Sequence, residues 1–430
     1  MQKDISIEVP ILARVEGEGS LRLHIRKQKI ESLQLRIYEP PRLFEKFLEG
    51  RHFSEVLDIV ARICGICPVA YQMSAAHAIE HCFGIKPTDW VRDMRRLFYC
   101  GEWIESHSMH IHLLAVPDFM GYQSALAMAK DYPKEVRRGL RLQSLGNSII
   151  KFFSGRSVHP VGACVGGFFR APSITEANGL LNKLKNNLGE VLALAHWAAS
   201  LPLPDNTHEF INVALRHPQE YPMNEGRITS THGLDIPIDQ FGDYFKEQQV
   251  PHSNALHCHL QGKPYLVGPL ARLNINQDKL PNTVTDLLNQ ISIKFPSYNM
   301  CHSIVARAIE IYYAFLEAIR ILETYQLPDA SHIEVTPQEG VGFGCTEAPR
   351  GMLWKMYKFD ADGKVTHAQI VPPTSQNQAR IEEDLHISLT QYGLDRSEDE
   401  LRAYSEMLIR NYDPCISCST HFLDLRVTRA

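Results

Sequence analysis

Leu21, Leu23 and Ile25 alternate with polar residues, and after the basic turn at 26–29 apolar residues return at Ile30, Leu33, Leu35 and Ile37. That period of two predicts a β-hairpin with one buried face in an N-terminal region of about 4–38. From about 42 to 325 the pattern turns mostly helical. Ser173-Ile174-Thr175-Glu176, directly after Pro172, has capping-box spacing and predicts a helix start. Val305, Ile309, Tyr312, Leu316 and Ile319 form an apolar helical stripe, with Arg307, Glu310, Glu317 and Arg320 on other faces. A second β region is expected at about 333–371, with strand-like segments at 354–359 and 365–371 joined through Asp362-Gly363. Helix returns from about Ala379, in a C-terminal segment of about 379–421 followed by a tail at 422–430.

No low-complexity linker, fixed-period repeat or shift of composition divides this pattern, and the Pro/Gly-rich stretches 262–269 and 337–351 are too short and apolar to be tethers. The expected fold class is therefore α+β. A single large unit spans 1–430, with a helical-bundle core and small peripheral β-sheets near the N-terminus and around 333–371. A hydrophobic content of 44% and a charged content of 22% fit an ordinary globular protein. A formal net charge of −5 gives no reason to expect nucleic acid or an anionic membrane as partner. No apolar run approaches the roughly 18 residues of a transmembrane segment, and the N-terminus lacks the apolar stretch of a secretory signal. Ten cysteines in that setting suggest a reducing, cytoplasmic location with thiols as ligands or core residues.

Four of those cysteines form two C-x-x-C motifs: Arg62-Ile63-Cys64-Gly65-Ile66-Cys67-Pro68 and Asp413-Pro414-Cys415-Ile416-Ser417-Cys418-Ser419-Thr420-His421. Each can present two sulfurs to one metal, and only tertiary folding can join pairs separated by most of the chain. Pro68 suits the first position of a helix, which leaves Cys67 near a helix N-terminus where the dipole favours a thiolate. Spacing alone leaves three readings open: structural zinc, a redox centre, or unrelated buried cysteines. Cys82, Cys100, Cys164, Cys258, Cys301 and Cys345 are scattered and read as core filling, which argues against an iron–sulfur cluster in this chain.

The flanking residues decide among them. R-x-C-G-x-C near the start with D-P-C-x-x-C-x-x-H near the end resembles the signatures of nickel–iron hydrogenase large subunits. The resemblance continues in Arg14-Val15-Glu16-Gly17, Arg42-Leu43-Phe44-Glu45 with Gly50-Arg51, Gly155-Arg156, His159-Pro160 and Gly166-Gly167. It extends through Glu347-Ala348-Pro349-Arg350-Gly351 and Val371-Pro372-Pro373-Thr374, in the family's order from 14 to 421. The first cysteine segment looks most like the bidirectional, NAD(P)-linked, sulfhydrogenase-type branch. Tyr71 and Ser106 stand where the respiratory branch carries histidine and aspartate.

The resemblance implies heterolytic cleavage or formation of H2 at a thiolate-bridged Ni–Fe centre whose iron carries CN and CO. Cys64 and Cys415 would bind nickel terminally, and Cys67 and Cys418 would bridge to iron. Cys415 is the implied base, Glu16 the proton gate, and Arg350 a donor overhanging the metals, with Pro372 and Thr374 completing the pocket. Glu45 and His421 resemble ligands of magnesium or another divalent cation, helped by a carbonyl near 369–371. His107 and His110 read better as hydrogen-bonded core residues than as ligands. Electrons would leave through a small subunit carrying iron–sulfur clusters, then through flavin-bearing diaphorase subunits to NAD(P). A maturation endopeptidase that cuts after His421 is also implied for much of the family. The competing expectations are a complex I-like core subunit that has lost its metals and a zinc-stabilised scaffold; elemental analysis separates the three.

Overall fold

The computed structural model describes residues 4–420, so His421 and the tail expected at 422–430 lie outside the described residues. Ile5–Val9 (β1), Gly19–Arg26 (β2) and Lys29–Ile37 (β3) form an antiparallel sheet in the order β1-β2-β3. The expected hairpin is β2–β3, with Leu21 opposite Leu35 and Ile25 opposite Ile30. Its turn passes through Lys27 and Gln28, both at positive φ (50° and 57°), which matches the twist of a tight hairpin. The structure adds β1, whose Ile5, Ile7 and Val9 alternate inward in the same way.

Four long helices follow: Pro68–Phe83 (α1), Asp89–Met109 (α2), Pro133–Ser154 (α3) and Ile174–Ala199 (α4). The expected capping box opens α4, the Ser173 hydroxyl accepting from the N–H of Glu176 while the Glu176 carboxylate accepts from that of Ser173. The helical expectation fails between residues 213 and 260. Val213–Arg216 (β4), Arg227–Ser230 (β5) and Asp235–Ile236 (β6) make one small sheet, and Phe245–Gln248 (β7) pairs with His257–Leu260 (β8). Strands of two to four residues are too short for a period to register against the longer helical pattern around them.

Pro269–Asn276 (α5) and Ser303–Glu323 (α6) complete the helical core. The α6 stripe is real, but Arg307 and Glu310 lie within the core rather than on an outer face, because charged partners from other elements meet them there. Arg320 does face outward, whereas Glu317 is largely buried, where it pairs with the buried Arg96.

Gly340–Ala348 (β9), Gly351–Phe359 (β10) and Val365–Val371 (β11) form the second expected β region, in the order β9-β10-β11. Pro373–Tyr392 (α7) begins earlier than the expected Ala379, since Pro372 caps it and Pro373 occupies its first position. Glu398–Asn411 (α8) precedes the second cysteine pair. A smaller apolar cluster, including Phe241, Phe245, Tyr265 and Trp354, holds the short strands against β10.

Direct backbone contact positions α1. A Cβ on Gly342 would lie 1.8 Å from the carbonyl oxygen of Ala78, and one on Gly344 would lie 2.1 Å from that of Ser74. Strand β9 therefore rests on the backbone of the helix that follows the first cysteine pair.

Candidate metal centre

Pro68 opens α1 and Cys67 is its N-cap, as the spacing predicts. Upstream, the Cys64 sulfur accepts the N–H groups of Ile66 (3.3 Å) and Cys67 (3.2 Å), folding the motif into a tight turn. The second pair is built alike: Cys415 caps the short helix Ile416–Ser419, and Asp413 just before it sits at φ 58°. The pairs meet. Cys64 Sγ lies 3.4 Å from Cys415 Sγ, Cys67 Sγ lies 3.7 Å from Cys418 Sγ, and Cys415 Sγ lies 2.7 Å from Cys418 Sγ. All four sulfurs are buried and within 4.8 Å of one another.

Four thiols packed this closely cannot all ionise unaided. Burial opposes the charge on each, but hydrogen bonds from the other three sulfurs and the nearby Arg350 charge bring Cys64 well below the usual thiol range. Burial and neighbouring sulfurs leave Cys67 and Cys415 well above it. Four thiolates this close would repel one another, and bound cations would be needed to hold them. A buried, all-sulfur donor set of this kind fits soft or borderline transition metals.

Glu16 reaches this cluster from the N-terminal region. The Cys415 thiol donates to Glu16 Oε2 at 3.2 Å, and the Ser417 N–H donates to the same oxygen at 3.1 Å. The Ile416 N–H donates to the Glu16 carbonyl at 2.9 Å, and the two segments run as a short parallel bridge. Gly17, at φ +89°, makes the approach possible, since a Cβ there would sit 2.6 Å from Cβ of Ile416. Burial, then the Cys64 charge, push the Glu16 carboxyl above its ordinary value. Arg14 donates to the carbonyl of Leu114 at 2.8 Å and pairs with Asp118, which also binds Arg410 at 2.9 Å.

Arg350 is buried beside the second motif. Its Nε donates to the Asp413 carbonyl at 2.8 Å, Nη2 to Asp413 Oδ1 at 2.9 Å, and Nη1 reaches Ser106 Oγ at 3.5 Å. Thr374 Oγ1 accepts the Cys415 N–H at 3.0 Å, and Pro372 caps the helix that carries Thr374. Glu45 Oε1 accepts the Ile370 N–H at 2.7 Å, which places it beside the 369–371 segment. Close by, the Arg42 N–H donates to the Thr420 carbonyl at 2.7 Å. His421, Glu45's expected co-ligand, lies outside the described residues. His107 bonds Glu310 at 2.9 Å and His110 bonds the Arg410 carbonyl at 2.8 Å, so both are hydrogen-bonded core residues.

Several supporting residues have no marker in the sequence. Glu102 on α2 accepts the N–H groups of Val69 (2.6 Å) and Ala70 (3.1 Å), capping α1 from a neighbouring helix. Lys355 is fully buried, donates to the Tyr71 carbonyl at 2.7 Å and lies 4.8 Å from the centre of the Tyr71 ring. Arg272 on α5 donates to both oxygens of Glu310 at 2.8 Å and to Glu347 Oε2 at 2.9 Å. It also holds the carbonyls of Ala348 (2.7 Å) and Pro349 (3.0 Å), so this guanidinium fixes the segment that delivers Arg350. Burial works against the Glu310 charge, but Arg272 and His107 outweigh it and hold the carboxyl at about 2. Removing one partner from such a network leaves buried charge uncompensated. Arg272→Leu is expected to cost about 3–5 kcal/mol in urea unfolding, and an unchanged midpoint would remove the network from the account.

The family described as nickel-dependent hydrogenase matches residues 42–139 and 247–421, spans that contain both cysteine pairs. Sulfhydrogenase 1 subunit alpha of Pyrococcus furiosus is 33% identical over 98% of this chain and 99% of its own length. The NAD-reducing hydrogenase HoxS subunit beta of Cupriavidus necator is 27% identical over 96% of this chain and 94% of its own. A solved NAD+-reducing [NiFe]-hydrogenase in the H2-reduced state shares the fold, with a TM-score of 0.86 at 24% identity, covering 97% of this chain and 99% of that one. The chain belongs to the nickel-dependent hydrogenases, as their large, catalytic subunit.

Proposed function

We propose that this chain catalyses reversible H2 oxidation and proton reduction, with Cys64, Cys67, Cys415 and Cys418 as the residues that would hold a nickel–iron pair. The observation that carries the reading is the meeting of four buried sulfurs, from two distant motifs, within 4.8 Å. When bound, a nickel–iron pair with CN and CO on iron supplies a centre at which H2 is polarised and parted heterolytically. The chain's residues handle the proton. Cys415 Sγ is the base, and Glu16 Oε2, 3.2 Å away, accepts the proton and passes it outward. The raised affinity of Glu16 for a proton suits a relay that must both take and release one. Arg350, buried and fixed by Asp413, would supply a guanidinium hydrogen-bond donor beside that centre.

Glu45, a carbonyl of 369–371 and His421 would hold the proposed magnesium ion, which would tie the second cysteine motif to β11. The Arg42–Thr420 hydrogen bond, which brings the last described residue beside the segment carrying Glu45, supports that grouping.

Electrons leave through an iron–sulfur small subunit and flavin-bearing diaphorase subunits to NAD(P), in the cytoplasm. The relatives' names support the acceptor, and no described helix is long and apolar enough to cross a membrane. The copurified complex is the test. It should contain nickel in this subunit, show infrared bands of iron-bound CO and cyanide, and reduce both a viologen dye and NAD(P)+ under H2. Zinc alone at the cysteines, with no uptake of H2, would sink the reading. Dye reduction without NAD(P)+ reduction would overturn only the acceptor.

A further inference from the structure

A second group of ligating side chains sits where β8, α7 and the N-terminal sheet converge. One donor atom from each of His252, His257 and Glu382 lies within 4.8 Å of the others. His252 belongs to the 249–256 loop, His257 opens β8, and Glu382 lies midway along α7. Glu382 Oε1 accepts from Leu35 N–H on β3 at 2.8 Å and lies 2.8 Å from His252 Nε2. The loop is anchored independently: Asn254 N–H donates to the Ile37 carbonyl at 2.7 Å, and Asn254 Nδ2 to the Glu39 carbonyl at 3.1 Å.

His257 makes this more than an ion pair on the protein's flank. It is 3% exposed, and its Nε2 is buried with no hydrogen-bond partner among the described residues. Its ring stands at 89° to that of His252, with centroids 5.7 Å apart. A buried polar nitrogen left without a partner costs about 1–3 kcal/mol, and the adjacent Glu382 Oε1 is already taken by the Leu35 N–H and His252 Nε2. A cation shared by all three would remove that cost.

We propose that His252, His257 and Glu382 bind a zinc-class divalent transition ion, at a site that shares no residue with the four-cysteine centre. Two imidazoles and one carboxylate match the ligand preferences of zinc and its neighbours and are poor for magnesium or calcium, which take oxygen. His252 and Glu382 keep 19% and 20% of their side-chain surface in solvent, so water can reach a fourth position. The Leu35 N–H is the supporting contact that orients the carboxylate. The bound ion clamps the 249–256 loop and α7 to the N-terminal sheet, which also carries the approach to Glu16.

The test uses the intact hydrogenase complex, stripped of loosely bound metal by a mild chelator and then titrated with Zn2+ alone. The wild-type complex should take up one Zn2+ more than complexes carrying His252→Ala or Glu382→Gln. Each substitution should weaken that uptake by more than about tenfold, the least that even supporting residues produce. Both positions are partly exposed, so these variants should fold, and His257→Gln serves as the buried counterpart. Zinc-edge absorption should show nitrogen and oxygen neighbours without sulfur, while nickel and iron contents match wild type. Equal zinc uptake by wild type and both variants, or a sulfur-dominated spectrum, overturns the proposal, and so does nickel lost together with zinc.

Discussion

Replacing Cys415 by serine yields a folded chain without a working metal centre. The sulfur of Cys415 touches those of Cys64 and Cys418 and the carboxyl of Glu16, and in the proposed mechanism it would serve as both ligand and base. A hydroxyl at that position is a harder and far more weakly acidic donor, poorly suited to a soft thiolate site. The fold should survive, because the Cys415 backbone is held independently by Thr374 and the Ile416 N–H by Glu16. The new hydroxyl can also keep a hydrogen bond to Glu16. Circular dichroism should be unchanged, nickel should fall well below one per chain, and H2-dependent dye reduction should drop to background. Nickel and activity retained at wild-type levels would exclude Cys415 from both roles.

Glu16→Gln separates proton transfer from metal binding. Glutamine is nearly the same shape, and its carbonyl oxygen can still accept the Ser417 N–H that Glu16 Oε2 accepts now. It cannot take a proton at neutral pH. Positioned general acid–base groups contribute about 10²–10⁴-fold, so H2/D+ exchange should slow by a factor in that range while nickel and iron stay bound. Exchange at the wild-type rate would assign the relay to another carboxyl. Glu105 is the alternative: burial raises it to about 8, and the charges of Arg350 and Cys64 both act on it.

What could be read from the chain divides along physical lines. Each cysteine turn is a local object: a proline fixes the first helical position after Cys67, and three-residue spacing turns two sulfurs the same way. The β2–β3 hairpin and the Ser173 cap are equally local, and sequence suffices for all of them. The strands between 213 and 260 were hidden because so few residues carry each one. Arg307 and Glu310 misled for a different reason. Periodicity treats a charge as a surface residue, whereas Arg272, His107 and Tyr221 surround Glu310 in the core. Those partners come from three other segments, so no window of sequence contains the pairing. Arg272 itself sits among ordinary helical residues with nothing to mark it. The motif residues Arg14, Gly17 and Glu347 could be picked out by resemblance, but their tasks became clear only from contacts made across the fold.

The short bridge between Glu16 and Cys415 has a consequence for how the protein is born. Translation proceeds at about 5–20 residues per second, so Cys64 and Cys67 emerge roughly tens of seconds before the sulfurs that complete their pocket. Throughout that interval the early thiols have no partners and the early glutamate has no strand to pair with. Closure is therefore a late event in which the trailing end docks onto the leading one, and a chaperone guarding the nascent chain would have its clearest task at the first cysteine pair.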